Sequence, residues 1–313
     1  MLYRADGEKL DQHFLYYSLL GPILQAQIKT LGSGSTVEHM RVPDAEKLTI
    51  PYPPIEEQRK IAAILSAYDD LIENNKRRIA LLKKMAEEIY REWFVRFRFP
   101  GYQTAEFEKG IPKDWKEGAL SDVAKFVMGQ SPKSEFYNDK GEGLPFHQGV
   151  GTYGERFPVN ETYCSVDGRT ANEGDILFSV RAPVGRLNIA NAKMIIGRGL
   201  AAISHKKGWN SYLYDLLKVA FSNEDIIGNG AIFNSVGKDE LMRFKILLPG
   251  EALVGEYQEK ATAIDEQIKL LIKSNDNLIK TKKMILPRLI SGKLSVADLD
   301  IQFPPSMNED EAA

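Results

Sequence analysis

The chain has 313 residues, of which 43% are hydrophobic and 27% charged, and its net charge is −2. This composition is ordinary for a globular protein, and the length has room for one or two domains. No run of about 18 apolar residues predicts a membrane helix, and a single cysteine excludes an internal disulfide. The near-neutral net charge argues mildly against DNA binding. A DNA-binding surface on this chain would need its basic residues concentrated on one face.

Residues 1–50 begin with two short amphipathic helices, predicted at about 10–20 and 23–31, followed by a strand at 46–50. A segment of this size buries its apolar side chains poorly by itself. We therefore expect residues 1–50 to be the remnant of a larger domain. The start of the chain lacks an apolar signal core, which favours a cytoplasmic location.

Residues 51–99 carry the pattern around which the chain is organised. Apolar residues recur there at alternating steps of three and four, the period of a coiled-coil seam, and most other positions are charged. The pattern predicts one long helix whose apolar stripe needs a partner helix. Its seam comprises Ile61, Leu65, Tyr68, Ile72, Asn75, Ile79 and Leu82 and continues to Trp93.

Residues 251–295 supply that partner, because the sequence of the first helix recurs there at a shift of 200. In this register Ile268 and Asn275 fall on the seam, together with Ile272 and Ile279. A second register through Ile264, Ile268, Leu271, Asn275, Leu278 and Ile285 fits equally well.

Asn75 and Asn275 are the polar residues of the two seams, and both registers of the second helix keep Asn275 on its seam. Such residues fix register and orientation at some cost in stability. The likeness continues upstream at a shift of 196, so a unit of about 200 residues is repeated.

Residues 100–250 form the complete domain of the chain, rich in strands and turns. We predict strands at 119–124, 175–180, 187–190, 201–204 and 244–248 and a helix at 212–220. Pro287 is expected to kink the second long helix or end it early. Residues 296–313 are expected to be a disordered tail. The fold class is α+β, with a globular mixed-sheet domain and two long helices packed as an antiparallel coiled coil.

Signatures of catalysis are missing from the sequence. It has no phosphate-binding loop, no nucleophile elbow and no closely spaced histidine and carboxylate set. We therefore predict a binding protein without a metal, a cofactor or an active site of its own.

Polar loops of the complete domain carry side chains of the types that bind DNA. Arginine pairs well with guanine, glutamine or asparagine with adenine, and hydroxyl groups bind phosphate. For each candidate the alternative is a solvated loop side chain or a structural hydrogen bond. The candidates are Gln130, Ser131, Lys133, His147, Gln148, Ser179, Arg181, Arg186 and Arg198.

The loop sequences GDILFSVRAPVG at 174–185 and IGRGL at 196–200, with IPYPPIEEQRKIA at 50–62, resemble the specificity subunit of type I restriction–modification systems. The resemblance implies two target-recognition domains, each followed by a long helix, and helices that pack antiparallel. It also implies a split target in double-stranded DNA, and methylation and restriction subunits that bring the chemistry. A helix of about 60 Å is longer than one turn of B-DNA and could space two readers.

This chain departs from the family plan because little sequence precedes its first long helix. We expect a subunit shortened at its N-terminus, with one complete target-recognition domain. It would act alone, act as a pair with a second specificity subunit, or be silent. A coiled-coil scaffold that binds only protein is the alternative, and the near-neutral charge favours it.

Overall fold

The computed structural model describes residues 3–31, 41–221 and 235–309. The helices in these ranges are α1 Gln12–Leu20, α2 Pro22–Leu31, α3 Val42–Ala45, α4 Ile55–Tyr90, α5 Leu120–Val123, α6 Asn210–Ala220, α7 Lys238–Met242, α8 Glu251–Ile290 and α9 Pro305–Glu309. The strands are β1 Phe107–Glu108, β2 Ile111–Pro112, β3 Lys116–Ala119, β4 Ala124–Met128, β5 Tyr137–Asn138, β6 Leu144–His147, β7 Tyr163–Cys164, β8 Thr170–Ala171, β9 Ile176–Ser179, β10 Leu187–Ile189, β11 Met194–Ile196, β12 Leu200–His205 and β13 Lys245–Leu248. Within the same ranges, no helix combines the length and apolar character that a membrane span requires.

Helices α4 and α8 are much longer than the others, with 36 and 40 residues. At a rise of 1.5 Å per residue they measure about 54 and 60 Å. Glu56 and Glu57 lie in the first turn of α4, where negative charge favours the helix dipole. Helix α8 does not end at Pro287 but continues to Ile290, and Gly292, with φ of +71°, follows it.

The described residues belong to two compact units. The first unit draws on Met1–Ile79 and Leu270–Ala313, and the second on Ala80–Lys269. Residues of both long helices therefore contribute to both units. All the assigned strands lie in the second unit.

Helices α4 and α8 run antiparallel within the first unit. Lys282 pairs with Asp69 at 2.5 Å, and Asn75 Nδ2 donates to Asn275 Oδ1 at 2.9 Å. As the residue number rises along α4, the number of its partner on α8 falls. Asn275 Nδ2 also donates to the Ile72 carbonyl at 3.4 Å, and both asparagines are only 8% exposed. The two seam asparagines thus bond to each other inside the interface.

The seam of α4 follows its predicted pattern of burial. Ile61, Leu65, Ile72, Asn75 and Ile79 are buried, and Tyr68 and Leu82 are half-buried. On α8, Ile264, Ile268, Leu271 and Asn275 are buried, whereas Ile279 is 38% exposed. Helix α8 therefore uses the second of the two registers, because the first would place Ile279 on the seam.

The core of the first unit lies where α1 packs on the two long helices, with Phe14 and Leu289 among its buried residues. The chain after α8 contributes to the same core through Val296 and Met307, which are 1% and 8% exposed. Lys60 Nζ also donates to the Ala297 carbonyl at 2.6 Å. Residues 296–309, expected to be disordered, therefore pack against this core and include helix α9. Residues 310–313 lie outside the described residues.

Residues 46–50, predicted as a strand, form a turn followed by a segment without regular secondary structure. A strand requires a neighbouring strand for its hydrogen bonds. The described part of the first unit has none, so the strand prediction is wrong.

The second unit contains the sheets. One has the antiparallel order β10-β9-β12-β4 and another the order β5-β7-β6-β11-β8, in which β6 and β11 run parallel. Two-stranded pairs join β13 to β3 and β1 to β2. The predicted α+β class with mixed sheets is confirmed. Strands predicted at 175–180, 187–190, 201–204 and 244–248 correspond to β9, β10, β12 and β13.

The strand predicted at 119–124 is wrong, because the chain turns through α5 between two separate strands. Strand β3 ends at Ala119 and β4 begins at Ala124. Asp122 Oδ2 accepts the Ala119 N–H at 2.8 Å, which closes the helical turn. The apolar residues at both ends of the segment concealed this turn in the sequence.

Candidate nucleic-acid interface

Four loops of the second unit meet at the turn 197–199, and backbone hydrogen bonds join them. Gly197 N–H donates to the His147 carbonyl at 2.8 Å, and Gly199 N–H to the Gln148 carbonyl at 3.1 Å. The N–H of Val180 donates to the Gly199 carbonyl at 2.9 Å. We call residues 129–133, 147–149, 180–186 and 196–199 the reading edge.

Glycines allow these backbones to approach closely. A Cβ atom at Gly129 would lie 2.1 Å from the Gly197 carbonyl oxygen, and one at Gly199 would lie 2.5 Å from the Gln148 carbonyl oxygen. Any larger residue at either position would force the backbone apart. The glycines of the motifs therefore shape the reading edge, and the polar residues between them remain available for contacts.

Gln130, Ser131, Gln148 and Arg198 come together in this arrangement. Ser131 Oγ donates to Gln148 Oε1 at 2.7 Å and accepts the Arg198 N–H at 3.1 Å. The Gln130 N–H donates to the Ile196 carbonyl at 3.0 Å, and its side chain is exposed. The Gln148 oxygen therefore faces Ser131, and the amide nitrogen is the part of that side chain that points away from Ser131.

The charged candidates are exposed. Lys133 has a side chain 82% exposed, 3.8 Å from Glu135, in a pair that contributes little to stability. Arg181, Arg186 and Arg198 also have exposed side chains on the reading edge. The backbone of Arg181 forms an isolated bridge with Ser235. The reading edge thus concentrates basic groups in a chain of net charge −2.

His147 is buried, at 0% exposure, and does not reach the surface. Its Nδ1 lies 2.8 Å from Thr152 Oγ1 and its Nε2 lies 3.0 Å from Asn160 Oδ1. Burial lowers the pKa of the imidazole, which favours its neutral form. The structure therefore places His147 beneath the loops as a structural residue and not as a reader of bases.

Ser179, a second candidate, is also buried, at 1% exposure. Its hydroxyl donates to the Pro183 carbonyl at 2.6 Å and accepts the Arg186 N–H at 2.8 Å. The hydroxyl thus bonds at two points to the backbone of the loop that carries Arg181 and so supports that loop. We assign Ser179 this structural role, which corrects its prediction as a phosphate ligand.

Arg169 is not among the residues predicted from the sequence, although its side chain is exposed and its backbone adjoins the reading edge. Its carbonyl accepts the Ile196 N–H at 2.8 Å, and the Ile196 carbonyl in turn accepts from Gln130. This proximity arises only from strand pairing. No local motif around Arg169 could have indicated it.

A buried polar network in the second unit was also missed. The guanidinium of Arg156 lies 3.7 Å from the ring centre of Tyr214 and forms an ion pair with Asp265 of α8. The Tyr257 hydroxyl, also on α8, donates to Asp215 Oδ2 at 2.8 Å. Burial raises the pKa of Asp215 to about 6. These contacts hold the globular part of the unit against α8.

The chain is similar to a known family over most of its length. The family model for the type I restriction modification DNA specificity domain matches residues 3–84 and 112–285. A match over this much of the sequence shows that the chain belongs to the type I restriction–modification specificity family.

Two relatives agree with this assignment, and a solved structure shares the fold. The putative type I restriction enzyme MjaX specificity subunit of Methanocaldococcus jannaschii is 34% identical over 304 residues, covering 95% of this chain and 71% of that protein. The MjaIX specificity subunit of the same organism is 27% identical, covering 91% and 70%. The crystal structure of a type I restriction–modification S subunit from M. genitalium superposes with a TM-score of 0.61 at 19% identity, covering 91% of this chain and 74% of that one. At that identity the likeness concerns the fold alone.

Proposed function

We propose that this protein is the DNA-specificity subunit of a type I restriction–modification enzyme. Family membership and the reading edge support the proposal together. In the reading edge, a glycine-dependent backbone joins the loops that carry exposed arginine, lysine and glutamine side chains. Arginine and glutamine are the residues that best read base edges in the major groove.

Methylation and restriction subunits would supply the chemistry. In the part of the chain that the structure describes, no three His, Cys, Asp or Glu residues are grouped to hold a metal ion. Both long helices also carry large apolar side chains on their exposed faces, which suit contact with partner proteins. These side chains are Leu81 and Met85 of α4 and Leu270 and Met284 of α8.

The second unit would read one half of a split target. The described residues of the first unit contain no strand and therefore no counterpart of the reading edge. We propose that a second specificity subunit contributes the reader for the other half. Two copies of one chain related by a two-fold axis would read two identical, inverted half-sites.

Salt dependence of DNA binding tests the proposal against the alternative of a protein-binding scaffold. With the methylation subunit present, the logarithm of the binding constant for duplex DNA should fall with the logarithm of salt concentration, with a slope of about −0.9 per phosphate neutralised.

The Arg198→Ala variant should weaken binding and, if Arg198 contacts a phosphate, reduce that slope by about 1. Lys140→Ala, in an exposed loop, serves as the control. A scaffold would show no chain-dependent DNA binding at any salt concentration.

A further inference from the structure

Residues 148–160 connect the reading edge to both long helices within the second unit, and we call this segment the strap. It begins at Gln148 and folds back on itself as a narrow hairpin. The Val159 N–H donates to the Thr152 carbonyl at 2.8 Å, and Tyr153 and Pro158 form a bridge. His147, buried below, contacts Thr152 and Asn160 on the two sides of the hairpin.

The tip of the strap is held by α4 and α8. Lys83 of α4 donates to the Glu155 carbonyl at 2.6 Å. Arg156, only 5% exposed, pairs with Asp265 of α8 and covers the ring of Tyr214. The Arg156 carbonyl also accepts the Ile189 N–H at 2.9 Å, which ties the tip to β10. The strap therefore has one end in the reading edge and its tip fixed on the helices.

Arg156 suits this position because a planar guanidinium can pair with a carboxylate and stack on an aromatic ring at the same time. The ion pair with Asp265 and the stacking on Tyr214 together fix both the position and the orientation of the strap's tip. Lysine, with a compact charge on a flexible chain, would keep the ion pair but not the stacked geometry.

We propose that Arg156 is a positioning residue for base reading, which holds the strap on α8 and thereby sets the placement of Gln148 at the reading edge. This inference rests on the proposed function, since it assigns a residue to the specificity of that same DNA site. Arg156 itself does not touch DNA. Its effect reaches the bases through the strap.

The test compares methylation rates of two duplexes by the complex of this chain with its methylation subunit. One duplex carries the target found by mapping methylated bases in a host, and the other differs from it by one base in a half-site. Arg156→Met should lower the ratio of the two rates by about tenfold, which is the order of discrimination that one correctly read base pair supplies. Arg156→Lys should give an intermediate ratio, and the exposed-loop variant Lys140→Met should leave it unchanged.

A merely structural role would lower both rates by the same factor and leave their ratio unchanged, which would overturn the proposal. If Arg156→Met does not fold, Lys83→Met removes a contact at the more exposed side of the tip and should still reduce the ratio. An unchanged ratio in that variant would likewise contradict the proposal. Failure of the proposed function is distinct, because the wild-type complex would then methylate no sequence in a chain-dependent way.

Discussion

At the scale of single residues, burial decides which polar side chains can act and which only support others. His147 and Ser179 have the chemistry of DNA-binding residues, yet both are enclosed and hydrogen-bonded within the chain. Gln148, the next residue after His147, and Arg198 are by contrast exposed. The two buried residues shape the loops that carry the exposed ones.

His205 gives the second unit a dependence on pH. It is 7% exposed, stacks on Trp209 at 5.2 Å between ring centres, and accepts the Lys207 N–H on Nδ1 at 3.1 Å. Burial, and secondarily the charge of Lys207, lowers its pKa from 6.5 to about 4. Between these two pH values the unfolded chain binds the extra proton, so this contribution to stability falls as the pH falls.

The variant His205→Phe keeps an aromatic ring against Trp209 but has no group that titrates. Its melting temperature should be lower than that of the wild type at pH 7, because the Lys207 N–H loses its acceptor. On acidification from pH 6.5 to pH 4, however, the variant should lose less stability than the wild type. Asp215, whose pKa is raised, titrates with the opposite sign in both proteins and cancels in the comparison. Parallel melting curves against pH would contradict the assignment.

At the scale of elements, the long helices and the loops differ in how far the sequence predicts them. The seam repeats every 3.5 residues on average, and this local signal predicts α4, α8 and the place of the two asparagines. Burial of His147 depends instead on partners in the strap, and Arg156 pairs with a residue 109 positions away. Contacts of that kind leave no local pattern, so the buried network and the role of the strap could not be predicted.

The asparagine pair tests what the seam contributes. Asn75→Leu alone would leave the buried Oδ1 of Asn275 without its donor, at a cost of about 1–3 kcal/mol. Asn75→Leu combined with Asn275→Leu should instead raise the melting temperature above that of the wild type, because apolar residues pack better at a seam.

The double variant should also lose the preference for one register, which disulfide trapping between cysteines introduced on α4 and α8 would detect as several products. Asn74→Leu, at an exposed position one residue away, is the matched control and should change neither property. A double variant less stable than Asn75→Leu alone would show that the amides contribute more than register.

At the scale of the whole molecule, each unit presents a different surface. The second unit carries the strands, the reading edge and the buried network that fixes the strap. The described part of the first unit consists of helices and connecting segments around a core that includes Val296 and Met307. The surface that suits DNA therefore lies among the described residues of the second unit.

Mapping of methylated bases in cells is the decisive test of DNA specificity. Genomes of cells that express the chain with its methylation subunit would be compared with those of cells that express the methylation subunit alone. A split sequence should be methylated only when the chain is present, and that methylation should be lost when Arg181 and Arg198 are both replaced by alanine. Methylation that is the same with and without the chain would contradict the proposed function.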